Sequence, residues 1–221
     1  MEQTIDLHAD GSGTQDVRLV LGEKVIAEVR RASVVTMPAG GDPLAVFDRK
    51  VLETELQTAG LSLTAWAAGE DGGRRRVTLT AGFADFAGLK KSPLCGSAAE
   101  WELGKGEKAG TVRLSFYPQG KAAWTEARAR AEAMQKEVDP TVADWFRRRQ
   151  EQLAGLDVTF RFRLPGKVVL WTRNMEKTGE QEVTAHVTAA QIQTPVDLVR
   201  RLAPRFEVVF DGTGCKLPVA D

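Results

Sequence analysis

The stretch Val142-Ala143-Asp144-Trp145-Phe146-Arg147-Arg148-Arg149-Gln150-Glu151-Gln152-Leu153-Ala154-Gly155-Leu156-Asp157-Val158-Thr159-Phe160-Arg161-Phe162-Arg163-Leu164 changes its hydrophobic period once. Before Gly155 the apolar residues Val142, Trp145, Phe146 and Leu153 fall at helical spacing. After it Val158, Phe160, Phe162 and Leu164 alternate with Thr159, Arg161 and Arg163, the period of a strand with one buried face. A glycine at the change suits a helix stop. An amphipathic helix feeding directly into a half-buried strand points to an α+β chain.

Outward from that point the same alternation of signals continues. Upstream, Asp139-Pro140 divides the helical region, because proline disfavours helix in the residue before it and suits the first turn of a new one. The spacing therefore predicts two helices, near 121–137 and 140–154. Further upstream lie three hairpin signals: residues 4–21 around Asp10-Gly11-Ser12-Gly13, residues 61–81 around Gly72-Gly73, and residues 100–116 around the turn from Gly104 to Gly110. Between the first two, Leu44, Phe47, Val51, Leu52 and Leu56 predict a helix near 43–59, started by Asp42-Pro43 and stopped by Gly60. Downstream, strands are expected at Val168–Trp171, Gln181–Val187 and Phe206–Phe210, with a short capped helix at Thr194–Leu202.

The expected fold is thus α+β: a largely antiparallel β-sheet with hairpins, packed by two or three amphipathic helices. It forms either one compact unit over 1–221 or two interlocked halves, about 1–118 and 119–221. At 221 residues, with 43% hydrophobic content, a core needs neither metal nor disulfide to hold it.

Thirty basic residues balance thirty acidic ones. A net charge of zero removes the bulk field that drives a chain onto nucleic acid, so no nucleic-acid partner is expected. No segment has the run of apolar residues that a membrane-spanning helix needs. Met1 to Leu7 lacks the basic and apolar regions of a signal peptide. Two expectations follow: export with a leader already removed, or a cytoplasmic location.

Catalytic constellations are sparse. The two histidines, His8 and His186, sit on separate expected strands, and the two cysteines, Cys95 and Cys215, form no CxxC pair. These are too few and too dispersed for a zinc site, so no metal and no cofactor is expected. Neither GxSxG, HExxH nor a phosphate-binding GxxxxGK[ST] occurs. Gly104 to Gly110 has phosphate-loop composition, but it joins two amphipathic strands and reads as a hairpin turn. The pairs Glu53/Glu55, Glu100/Glu102 and Glu180/Glu182 read as surface charge, and the five tryptophans as core.

The arginine runs Arg74–Arg76, Arg147–Arg149 and Arg200–Arg201 read first as solvated faces, with Glu151 four residues beyond Arg147 as its helix partner. In the helical region, however, Trp124, Met134, Trp145 and Phe146 accompany Arg147, Arg148 and Arg149. Apolar area beside guanidiniums could seat an acyl chain or partner helix while the cations meet an anionic group. Trp124, Trp145, Phe146, Arg147, Arg148 and Arg149 are the candidate binding residues. No catalytic residue is assigned.

One motif carries a family resemblance. Phe160-Arg161-Phe162-Arg163-Leu164-Pro165-Gly166-Lys167-Val168 is a strand ending in Leu-Pro-Gly-x-Val. The chain's single asparagine, Asn174, follows, and then the polar hairpin Gly179-Glu180-Gln181-Glu182-Val183. Together with the Asp10–Gly13 hairpin, this pattern resembles the mature domains of mycobacterial LppM-like lipoproteins. The resemblance implies a bacterial lipoprotein domain at the cell envelope, in which the motif residues are structural. The functional expectation is a non-enzymatic cell-envelope binding module, for lipid or a partner protein. The alternative is a cytoplasmic enzyme whose site is built from dispersed Asp/Glu and Arg.

Overall fold

The computed structural model describes residues 1–27, 44–135 and 140–219. The chain is α+β, but its strands divide between two sheets. The larger has seven strands in the order β3-β4-β2-β1-β7-β10-β9, and the smaller has four, β5-β6-β11-β8.

In the larger sheet β1 (Glu2–Leu7) and β2 (Gly13–Gly22) form the first hairpin, and β3 (Leu61–Asp71) and β4 (Arg74–Phe83) the second. The second turns on Gly72 and Gly73, at φ 54° and 73°, a left-handed pair that only glycine adopts without strain. β1 runs parallel to β7 (Asp157–Arg163), with Gln3 opposite Phe160. Its other neighbour, β2, is antiparallel, as are β7 and β10 (Glu182–Thr188) to each other. The sequence reading contained no signal for this parallel pair or for the two-residue strand β9 (Glu176–Lys177). The smaller sheet pairs β5 (Glu100–Lys105) with β6 (Thr111–Tyr117), then β11 (Phe206–Asp211), then β8 (Val168–Trp171), all antiparallel.

The two sheets meet face to face on an aromatic seam. Trp101 stacks on Phe116 with centroids 4.0 Å apart, and Phe162 meets both rings edge-on at 6.1 Å. Phe206 closes the cluster against Phe160 at 5.3 Å. The alternation of Phe160 and Phe162 is therefore explained by a second sheet. Gly166 of the Leu-Pro-Gly motif packs so closely that an added Cβ would lie 1.8 Å from the Asp211 carbonyl oxygen. Glycine there is a steric requirement of joining β7 to β8.

At the end of the seam the buried Gln15 amide donates to Cys95 Sγ at 3.0 Å, and Ser92 Oγ donates to Gln15 Oε1 at 2.5 Å. Trp101 turns its indole N–H toward the same sulfur without reaching hydrogen-bond geometry. Burial pushes the Cys95 thiol up to about 11, an effect that the amide hydrogen bonds only partly offset. Both cysteines are free.

Helices cover what the sheets leave open. Of the expected helix near 43–59, the α-helical part, α1, spans Arg49–Thr58, after a 3-10 turn at Ala45–Phe47. Asp48 is its cap, accepting from the N–H groups of Lys50 and Val51; the expected cap at Asp42-Pro43 lies outside the described residues. α1 buries Leu52 and Leu56 on the β3 side of the larger sheet, and the short α2 (Phe86–Lys90) follows β4. The helical region separates into α3 (Lys121–Met134) and α4 (Pro140–Gln152), with residues 136–139 outside the described set. α5 (Pro195–Leu202) packs against both. Of the five tryptophans only Trp101 is fully buried; Trp171 is 42% exposed, because β8 is an edge strand.

Candidate functional site

Where α3 and α5 approach the ends of β8 and β11, they enclose a groove of about 650 Å³. Its position follows from local chemistry at α5. Thr194 accepts the Asp197 N–H at 3.1 Å, and Asp197 Oδ2 accepts from the Thr194 N–H and hydroxyl at 3.0 and 2.7 Å. With Pro195 in the first turn, this reciprocal cap fixes where the helix begins. Leu198 and Val199 then face inward, and Arg200 and Arg201 emerge in the last turn, where the helix dipole favours cations.

The opposite wall is Trp124 on α3. The Arg205 guanidinium lies over its ring at 4.7 Å and that of Arg128 at 5.9 Å. Asn174 Nδ2 donates to the Arg205 carbonyl oxygen at 2.9 Å, tying the segment after β8 to the start of β11. Arg173, beside Asn174, lines the same space.

Five arginines thus converge against two carboxylates, and both carboxylates are already engaged. Glu132 Oε1 accepts from Arg128 Nε at 3.1 Å, and Asp197 caps its helix. Arg205 pairs with Glu207 at 3.5 Å. Among the described residues Arg173, Arg200 and Arg201 have no ion-pair partner. With Glu207 included, five guanidiniums face three carboxylates, so among the described residues the groove keeps a net positive charge beside a half-buried indole. Two exposed leucines stand within two residues of groove-lining positions: Leu202, 55% exposed, between Arg201 and Ala203, and Leu170, 53% exposed, two residues before Thr172.

Of the candidate residues, Trp124 lines this groove and the others lie on α4. Phe146 is buried with Ile192 and Leu198, and Trp145 packs beside that cluster with the Arg130 guanidinium 5.8 Å from its ring. Phe146 thus braces α5 from behind. Arg147 is bonded to Asp144, one turn back, and the Glu151 side chain lies outside the described set. Arg148 is exposed, and the Arg149 side chain lies outside the described set. The groove arginines missed in the sequence had a partial signal: the Arg200-Arg201 run on a capped helix and the lone asparagine next to Arg173. Arg205 had none.

The histidines do not meet. His8 lies near Asp6 and Ser12, while His186 Nε2 sits 2.9 Å from Asp157 on the solvated face of the larger sheet. Among the described residues no group of His, Cys, Asp and Glu has a metal-binding arrangement, and no helix is long and apolar enough to cross a membrane.

No family model and no curated protein matches the chain. Among solved structures it is similar to the folded domain of the Mycobacterium tuberculosis protein LppM, solved by NMR, with a TM-score of 0.45 and 13% identity over 95% of this chain and 87% of that one. This is a weak structural resemblance.

Proposed function

We propose that the chain is a non-enzymatic binding module of the bacterial cell envelope, and that the α3–α5 groove takes the phosphate of an anionic lipid headgroup. The observation that carries this reading is the gathering beside Trp124 of three guanidiniums, Arg173, Arg200 and Arg201, that have no ion-pair partner among the described residues. Guanidiniums suit phosphate because their planar fork donates two parallel hydrogen bonds. The neighbouring Leu170 and Leu202 give the start of an acyl chain somewhere to rest. A charge-assisted hydrogen bond contributes roughly 1.5–3 kcal/mol when desolvated and far less when exposed. The enzymatic alternative has less support, because both groove carboxylates are tied to structural partners.

The test is cosedimentation with vesicles of phosphatidylglycerol and, separately, of phosphatidylcholine. Binding is expected to the first only, with about a tenfold loss or more in the Arg200→Ala/Arg201→Ala variant. A triple Arg→Ala variant of residues 147–149 measures whether the exposed face of α4 contributes. Equal binding by wild type and the groove variant would refute the reading.

A further inference from the structure

A second recess of about 630 Å³ lies along β5, the edge strand of the smaller sheet, between α2 and the sheet face that carries Arg113 and Ser115, with Trp101 and Leu103 also in its lining. Gly104 on β5 stands opposite Arg113 on β6, and its missing side chain leaves room for the guanidinium, which would lie 3.4 Å from an added Cβ. Lys90, at the end of α2, lines the other side. The recess has one carboxylate, Glu102, and Lys121 neutralises it at 2.8 Å. Among the described residues neither Arg113 nor Lys90 has an ion-pair partner. This pocket, like the groove, presents uncompensated positive charge.

The two pockets share one sheet face. Arg113 pairs with Val209 on β11, and Arg205 lies four residues before Val209. Four residues of strand and one interstrand step separate the two Cα positions by about 14 Å. The floor between them is the Ser115–Glu207 hydrogen bond, 3.1 Å, and Arg205 compensates the Glu207 charge. Among the described residues that line the two pockets, no unpaired carboxylate lies between Arg113 and Arg205.

We propose that the groove and this second pocket are two anchor points for one multiply charged ligand, a set of phosphate groups long enough to reach from Arg113 to the groove beyond Arg205. The phosphates belong either to one soluble chain or to neighbouring headgroups of a lipid surface. This inference rests on the groove reading above. Two tethered contacts raise affinity through effective concentration, a gain that a short anion cannot collect.

The full chain is titrated with triphosphate, with long-chain inorganic polyphosphate and with phosphatidylglycerol vesicles, using the wild type and the Lys90→Ala/Arg113→Ala and Arg200→Ala/Arg201→Ala variants. Polyphosphate is expected to bind at least about tenfold more tightly than triphosphate after correction for its number of binding registers. Lys90→Ala/Arg113→Ala should remove that gain and weaken triphosphate by no more than about twofold, the loss of one of two independent sites. A Lys90/Arg113 dependence seen with vesicles alone assigns the phosphates to adjacent lipids; one seen with the soluble chain assigns them to a single molecule. If Lys90→Ala/Arg113→Ala changes neither, or weakens triphosphate equally, the two-anchor proposal is overturned while the groove stands. If Arg200→Ala/Arg201→Ala changes no ligand's binding, the groove reading falls and takes the proposal with it.

Discussion

Aromatic rings occupy two contrasting settings. In the seam Phe162 touches only other carbon surfaces, with Trp101, Phe116 and Phe206 at 6.1–6.3 Å and 2% of its own surface exposed. In the groove Trp124 is half-buried and meets Tyr117 and two guanidiniums. The seam rings lie between two sheets that exclude water, and their burial is a main source of stability. The groove ring is held by charged groups that keep contact with water, so it adds little to stability. The same residue type serves structure in the seam and, in the function proposed above, recognition in the groove, according to what lies across from it.

This contrast can be broken first at Phe162. Truncation to alanine should cost about 3–5 kcal/mol, read as a lowered urea midpoint with an unchanged slope. A loss below about 1 kcal/mol would mean the seam is not the closely packed core described.

The next effect concerns Cys95 at the seam's edge. Its folded thiol lies near 11 against an ordinary 9.0, because burial favours the neutral form. The associated stability is fully present below pH 9 and is lost as pH rises toward 11. The loss is of order 2 kcal/mol. Stability curves of wild type and Cys95→Ala should converge or cross over that window. Parallel curves would show that the thiol is solvated.

A smaller effect is expected at the base of the groove. Thr194→Ala removes the reciprocal cap of α5 and should cost about 1 kcal/mol. Faster amide hydrogen exchange at Asp197, whose N–H the Thr194 hydroxyl accepts, would report it. Retained protection there would show that packing of Leu198 alone fixes the helix start.

The smallest change belongs to the groove surface. Arg200→Ala/Arg201→Ala should alter stability by less than about 0.5 kcal/mol, since neither side chain has an ion-pair partner among the described residues. A larger destabilisation in thermal melts would place these arginines with the seam as structural residues.

How much of this was legible in the chain differs between the regions. The strand at 158–164 and the hairpins at Asp10–Gly13 and Gly72-Gly73 follow from periodicity and turn chemistry, and the structure shows them. So does the capped helix starting at Pro195. Helix α1 was displaced because Asp48, a better-placed cap, lies inside the expected span. Trp171 was read as core because its strand is apolar, but an edge strand leaves part of its surface in water.

The sequence by itself determined which segments become helix or strand and which strand faces are buried, because those depend on contacts within a few residues. It also determined the cap at Thr194, whereas the steric need for glycine at the β7–β8 turn comes from the distant Asp211 carbonyl. Only the tertiary structure decided what covers each buried face: a second sheet over Phe160 and Phe162, and β7 running parallel beside β1 across more than 150 positions. The same long-range pairing brought Arg173, Arg200 and Arg201 around Trp124, while Phe146 went into a small core. Alternation states that a face avoids water, and a guanidinium states that it wants an anion. Neither carries local information about its partner, because that partner arrives from a distant part of the chain.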